Sequence, residues 1–271
     1  MPTNSKIKSI LICHEDSTFD VEGLSRWLAS FSELKGIVIL RERNDRKFKR
    51  IKREIGRSGL RFLDVLAFRL YYKLFSSRAD AKWETGLIER LSSLYPLTPG
   101  VPVLVTHSPN STEAEAFIRG MQSDIVIARC KVILNKRIFS LPMAGTFVMH
   151  PGICPEYRNA HGCFWALANG EDDKIGMTLL KVDEGVDTGP IYAYYSYAYD
   201  AASESHFKIQ TRVVSENLES VAAKLSQIVS GEAEPIDVTG RESGTWGHPW
   251  LTKFLAMKLR ARRRLQWTQS A

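Results

Sequence analysis

Residues 7–42, IKSILICHEDSTFDVEGLSRWLASFSELKGIVILRE, decide the fold class. IKSILICHE (7–15) is a short apolar run with β-branched residues and reads as a buried strand. VEGLSRWLASF (21–31) changes period: Val21, Leu24, Trp27, Leu28 and Phe31 share one face of a helix. GIVILRE then returns to strand character. A strand, a helix and a second strand within so short a span predict a parallel pair with a crossover helix.

The same alternation continues along the chain. VPVLVTHS (101–108), SDIVIARC (123–130) and GTFVMH (145–150) read as strands, and STEAEAFIRGM (111–121) as a helix capped by Ser111 or Thr112. CFWALANG reads as a further helix. KIGMTLLKVDEGVDTGPIYAYYSYAY reads as two strands around the turn DEGVDTG. HFKIQTRVVSENLESVAAKLSQIVSG (206–231) reads as one long amphipathic helix with a glycine stop. The expectation is an α/β, Rossmann-like, doubly wound and mostly parallel sheet. Residues 1–231 form its main domain. An inserted basic and apolar helical region occupies 41–82, and a basic C-terminal extension, with a short helix in PWLTKFLAMKLRARRRL, occupies 232–271. GLRFLDVLAFRLYYKLF (59–75), apolar on most faces, is either buried against the body or a partner-binding element.

Composition narrows the class. With 44% hydrophobic and 25% charged residues the chain reads as an ordinary globular protein. No apolar run reaches the roughly 20 residues that cross a bilayer, and the N-terminus is too weakly apolar for a signal peptide. Cys13, Cys130, Cys154 and Cys163 show no CxxC spacing, so neither a zinc site nor a disulfide framework is expected, and a reduced cytoplasmic chain is. The net charge of +7 gathers in RERNDRKFKRIKREIGR (41–57) and KLRARRRL (258–265). Solvated helix faces are the favoured reading, and no nucleic-acid motif accompanies the charge. For the C-terminal stretch, packing of Trp250, Leu251, Phe254 and Leu255 on the parent domain is favoured over peripheral contact with an anionic membrane.

Two residues stand out chemically. His150 ends a strand where open α/β sheets bind ligands, and an imidazole there can exchange protons near neutral pH. Asp187 sits in the glycine-flanked turn EGVDTGP, where an Asp is ordinarily a turn former. His107 also ends a strand and is given a structural role; His206 and His248 are expected at the surface, and Trp165 and Leu167 in the core.

The stretch HPGICPEYRNAHGCFWALANGEDDKIGMTLLKVDEGVDTGPIY (150–192) resembles the formyltransferases that use 10-formyltetrahydrofolate. His150, Pro155, Tyr157-Arg158, Gly170-Glu171, Gly176-Met177-Thr178 and Asp187-Thr188-Gly189 carry the resemblance, which extends back to about residue 124. It implies attack of an amine on the formyl carbon, with His150 and Asp187 stabilising the tetrahedral intermediate and managing protons. It also implies a pterin pocket lined by Ile133 and Leu134 before the catalytic strand and by Asp183, Glu184, Gly185, Val186 and Asp187. No metal is implied.

One departure is serious: Val148 stands where the family has a catalytic Asn, and valine donates no hydrogen bond. Loss of one oxyanion donor costs about 10²–10³ in rate. Asn159 and His161 are the polar replacements nearest in sequence, expected to point into the pocket. HEDSTFD (14–20) lacks the glycines of a phosphate-binding loop, which argues against a ribonucleotide acceptor. About 40 residues follow Gly231, too few for the C-terminal barrel of tRNA-acting members. The acceptor implied is a primary amine on a small metabolite such as an amino sugar or sugar nucleotide, which His14, Glu15 and Asp16 can meet. Homo-oligomerisation is left open. A hydrolase of the same folate, or a silent folate-binding scaffold, is the alternative.

Overall fold

Each strand run pairs into one sheet. The computed structural model describes residues 6–42 and 59–270. The strands are β1 (Lys8–His14), β2 (Glu33–Leu40), β3 (Val103–Thr106), β4 (Ile125–Arg129), β5 (Gly145–His150), β7 (Met177–Lys181) and β8 (Ile191–Tyr195). They form one sheet in the order β3-β2-β1-β4-β5-β7-β8. Pairing is parallel from β3 to β5 and antiparallel at β5–β7 and β7–β8. A Rossmann-like, mostly parallel sheet is therefore observed. Strand order reverses at β1 and β4, so the carboxyl ends of these strands and of β5 open onto one crevice.

Side-chain alternation divides the core into layers. On β1, Leu11 and Cys13 face the larger core, while Ile10 and Ile12 face a second one. Phe147 and Met149 of β5 repeat the pattern, leaving Val148 and His150 on the opposite face. The first crossover helix opens as a π-helical turn, Phe19–Leu24, and continues as α1 (Ser25–Phe31). Trp27, fully buried, anchors it and donates its indole N–H to the Leu218 carbonyl at 3.1 Å. In α4 (Thr112–Met121) the cap is Ser111, whose hydroxyl accepts from the Ala114 amide at 3.1 Å.

Helices α2 (Phe62–Phe75) and α3 (Ser77–Leu94) follow β2 in the chain. Most of the basic run 41–57 lies outside the described residues. α2 buries Val65 and Phe68 and leaves its other side exposed. The remaining helices are α5 (Lys136–Phe139), α6 (Gly162–Asn169), α7 (His206–Ser215), α8 (Leu218–Val229) and α9 (Leu251–Ser270).

Four sequence expectations change. Residues 206–231 form two helices, because the Asn217 side chain donates to the Val213 carbonyl at 2.8 Å and to Ser196 O at 3.1 Å, competing with helix continuation. The short C-terminal helix is instead the 20-residue α9, whose run of Ala, Leu, Lys, Arg and Gln contains no breaker. Phe254 and Met257 of α9 enter the main core, and β9 (Thr245–Trp246) pairs with β6 (Arg158–Asn159). His206, expected at the surface, is buried against Phe68 and Tyr72, with ring centroids 4.9 and 5.0 Å away. His248 is half-buried beside His161, at 5.6 Å.

Candidate active site

β5 delivers His150 to the crevice, and the antiparallel neighbour β7 sets what lies beside it. His150 is opposite Thr178 in the register. The buried Thr178 hydroxyl donates to Gly152 O at 2.6 Å and accepts from Cys154 N at 2.9 Å, which folds residues 151–157 back over the histidine. The imidazole Nε2 then lies 2.7 Å from the Tyr157 carbonyl. A carbonyl only accepts, so Nε2 carries the proton, and Nδ1 is left facing Asp187. The distance from Nδ1 to Asp187 Oδ2 is 3.5 Å, with both side chains largely buried.

Asp187 is held from the opposite side. Its Oδ2 accepts the Asn159 main-chain N–H at 2.8 Å, and its backbone is left-handed at φ 52°. Asp183 organises the turn: its Oδ1 accepts from Gly185 N at 2.9 Å and from the Thr188 hydroxyl at 2.7 Å. Any Cβ on Gly189 would collide with the Lys181 carbonyl. Arg158 closes the arrangement, donating from Nη1 to Val186 O at 3.0 Å and from Nη2 to Thr245 Oγ1 at 3.1 Å. The turn is thus fastened to β6, and β6 to β9.

The residues expected to form a pterin pocket lie on two loops joined by one ion pair. Asn110 ties down the loop before β5, donating to Ile133 O at 2.8 Å and accepting from Asn135 N at 2.8 Å. Leu134 is buried beneath it, whereas Ile133 is exposed. Lys136 and Glu184 form an exposed ion pair at 3.2 Å that links this loop to the Asp183–Asp187 turn. At that exposure it contributes little energy and marks proximity.

Val148 is half-buried and packs against the buried cluster of Cys154, Leu180 and Ile191, on the same strand face as His150. The two polar neighbours expected to replace its missing donor have other partners. Asn159 donates from Nδ2 to Trp246 O at 2.5 Å. His161 Nδ1 lies 3.3 Å from Gln210 Nε2, its ring is tilted against those of His206 and His248, and burial holds its imidazole well below its ordinary range. Asn159 meets the His150–Asp187 pair through its main chain alone.

Two further groups lie near the site, Arg129 without a sequence signal and His14 as one of the residues expected to meet the acceptor. Arg129, at the end of β4, pairs with buried Asp20 at 2.9 Å and donates to Met149 O at 2.7 Å, one residue before His150. His14 Nε2 accepts from Lys131 N at 3.1 Å, and burial and the nearby Lys131 lower its imidazole. Burial pushes the thiols of Cys13, Cys154 and Cys163 up to about 12, so none offers a thiolate nucleophile. Among the described residues no cluster of His, Cys, Asp and Glu is arranged to hold a metal ion.

Residues 102–225, which hold both His150 and Asp187, match the formyl transferase family model. The match covers just under half of the chain. Over 96 residues the chain is 40% identical to methionyl-tRNA formyltransferase of Sorangium cellulosum, covering 35% of this chain and 30% of that protein. It is 30% identical over 135 residues to methionyl-tRNA formyltransferase of Thermotoga maritima, covering 49% and 42%. The chain therefore spans less than half the length of these curated relatives. In three dimensions the chain resembles a sugar N-formyltransferase from a Shewanella species, with TM-score 0.54, 13% identity and coverage of 94% and 87%. It also resembles phosphoribosylglycinamide formyltransferase from Anaplasma phagocytophilum, with TM-score 0.54, 13% identity and coverage of 89% and 98%.

Proposed function

We propose that this chain transfers the formyl group of 10-formyltetrahydrofolate to a primary amine of a small metabolite, such as an amino sugar or sugar nucleotide, in the cytoplasm. The observation that carries the reading is the 3.5 Å approach of His150 Nδ1 and Asp187 Oδ2, two groups far apart in the chain that meet at the carboxyl end of β5. The formyl-bearing folate supplies an activated carbonyl. Ile133 and Leu134 on one rim, and Asp183, Glu184, Gly185 and Val186 on the other, would hold its pterin.

The acceptor nitrogen forms a bond to the formyl carbon, giving a tetrahedral oxyanion; the carbon–N10 bond then breaks. To stabilise the oxyanion His150 must carry a second proton: as an imidazolium it donates Nδ1–H to the oxyanion while its Nε2–H stays on Tyr157 O. Asp187 takes the proton that the attacking nitrogen loses and returns it to N10 as the carbon–N10 bond breaks. Asn159 acts as a positioning residue through its N–H to Asp187. No catalytic contribution of the His161 ring is needed for these steps.

The acceptor is not read as one held by phosphate at the end of β1. Asp20 places a buried carboxylate at the start of the first helix, fastened by Arg129 and the Ser17 hydroxyl, where a phosphate would otherwise sit. The test is spectroscopic release of tetrahydrofolate with and without a panel of amino sugars, nucleotide amino sugars and amino acids. Release that depends on an amine supports the proposal. Release independent of any amine identifies a hydrolase instead. Absence of release identifies a silent folate-binding protein, the reading that Val148 favours.

A further inference from the structure

Helix α2 carries two apolar stripes. Val65 and Phe68 face the core, but Leu63, Leu66, Leu70 and Leu74 recur at helical spacing along the opposite side. Three of them, Leu63, Leu70 and Leu74, are 66%, 59% and 65% exposed. A helix that only packs against its own domain has no use for the second stripe.

Helix α9 lies alongside and repeats the feature. Phe254 places its ring 5.4 Å from both Phe68 and Tyr71, and Asp64 accepts from the Thr252 main-chain N–H at 3.1 Å. One turn of α9 apart, Leu255 and Leu259 are exposed while Phe254 and Met257 point inward.

Charge identifies the occupant. The two helices contain Arg69, Lys73, Lys253, Lys258, Arg260, Arg262, Arg263 and Arg264, and a single acidic residue, Asp64, which is engaged at the start of α9. Lys258, Arg260 and Arg264 turn toward the domain, onto main-chain carbonyls and Asp172. Lys73, Lys253, Arg262 and Arg263 are exposed. A second copy of this surface would set like charges against each other. Among the described residues no helix is long and apolar enough to cross a membrane.

We infer that the α2–α9 face is a docking surface for an anionic lipid bilayer. The leucines enter the headgroup boundary and the flanking Lys and Arg side chains meet lipid phosphates. This corrects the sequence expectation for the C-terminal stretch in part: Phe254 packs on the domain, and Leu255 does not.

The experiment is flotation of the full chain with vesicles of phosphatidylcholine alone and with vesicles of equal parts phosphatidylcholine and phosphatidylglycerol. The expected result is at least about tenfold stronger partitioning onto the anionic vesicles, as apolar insertion and charge attraction act together. The double substitution Leu70→Glu, Leu74→Glu should lower that partitioning by about tenfold or more with the thermal midpoint unchanged. The substitution Arg262→Glu, Arg263→Glu should do the same and tests the charge separately. Equal partitioning onto both vesicles, none onto either, or partitioning indifferent to the leucine substitutions would overturn the inference. So would a dimer in sedimentation that the leucine substitutions dissociate, because the occupant would then be a second copy.

Discussion

Gly152 lies so close to His150 that any side chain at position 152 would displace the imidazole: a Cβ there would stand 2.8 Å from His150 Nε2 and 2.6 Å from Tyr157 O. The hydrogen bond that orients the histidine therefore depends on a residue with no side chain. Gly162 shares the constraint, since its own Cβ would fall 2.6 Å from Gly152 Cα.

Gly152→Ala should accordingly separate orientation from chemistry. The methyl group pushes apart His150 and Tyr157, and misplacement of a reacting group by about 1 Å costs on the order of 10² in rate. Steady-state kinetics should show kcat/KM falling by about that factor. Wild-type kinetics in this variant would mean that the bond to Tyr157 has no part in positioning Nδ1.

Arg158 should behave as a strut with two ends. Its guanidinium joins Val186 O, beside Asp187, to Thr245 of β9. Lys, a point donor, cannot span both partners. Arg158→Lys should lower kcat by about tenfold, by letting the Asp187 turn drift from the geometry of attack. Retention of full activity with lysine would release the C-terminal segment from any role at the site.

Much of this was legible in the chain and some of it was not. The apolar runs at 7–15, 123–130 and 145–150 marked β1, β4 and β5, because parallel strands buried on both faces lack polar interruptions. His150 and Asp187 were visible as types at telling positions, but only tertiary pairing sets them 3.5 Å apart. The Arg129–Asp20 pair and the two-residue bridge between β6 and β9 had no local pattern to read. His206 was misread although a signal existed: it precedes Ile209 and Val213 at the helical spacing of the buried stripe.

That buried histidine makes stability depend on acid. Burial drives His206 from 6.5 down to about 3, and its Nδ1 has no hydrogen-bond partner. Between those values the unfolded chain binds a proton that the native chain refuses, so stability is lost as pH falls through the window, by about 1.4 kcal/mol per pH unit. His161, lowered in the same direction, adds to the slope. Urea unfolding across this range should show a shallower acid dependence for His206→Phe. An identical slope in that variant would locate the proton uptake elsewhere.

Val148→Asn tests the missing donor. The side chain lies on the His150 face and packs against the cluster of Cys154, Leu180 and Ile191, so an amide of similar size can reach the crevice. Since one oxyanion donor is worth about 10²–10³, a gain of about tenfold or more is expected even with imperfect placement. A variant that folds normally and gains nothing would show that another group already fills the role.

The most direct test is a kinetic cycle on the pair itself. His150→Ala, Asp187→Ala and the double variant are compared by kcat/KM for amine-dependent release of tetrahydrofolate. If imidazole and carboxylate work as one unit on the formyl carbon, each single substitution costs about 10²–10⁴ and the double costs little more than the worse single. Single variants within a few-fold of wild type, or losses that simply multiply in the double, would contradict it.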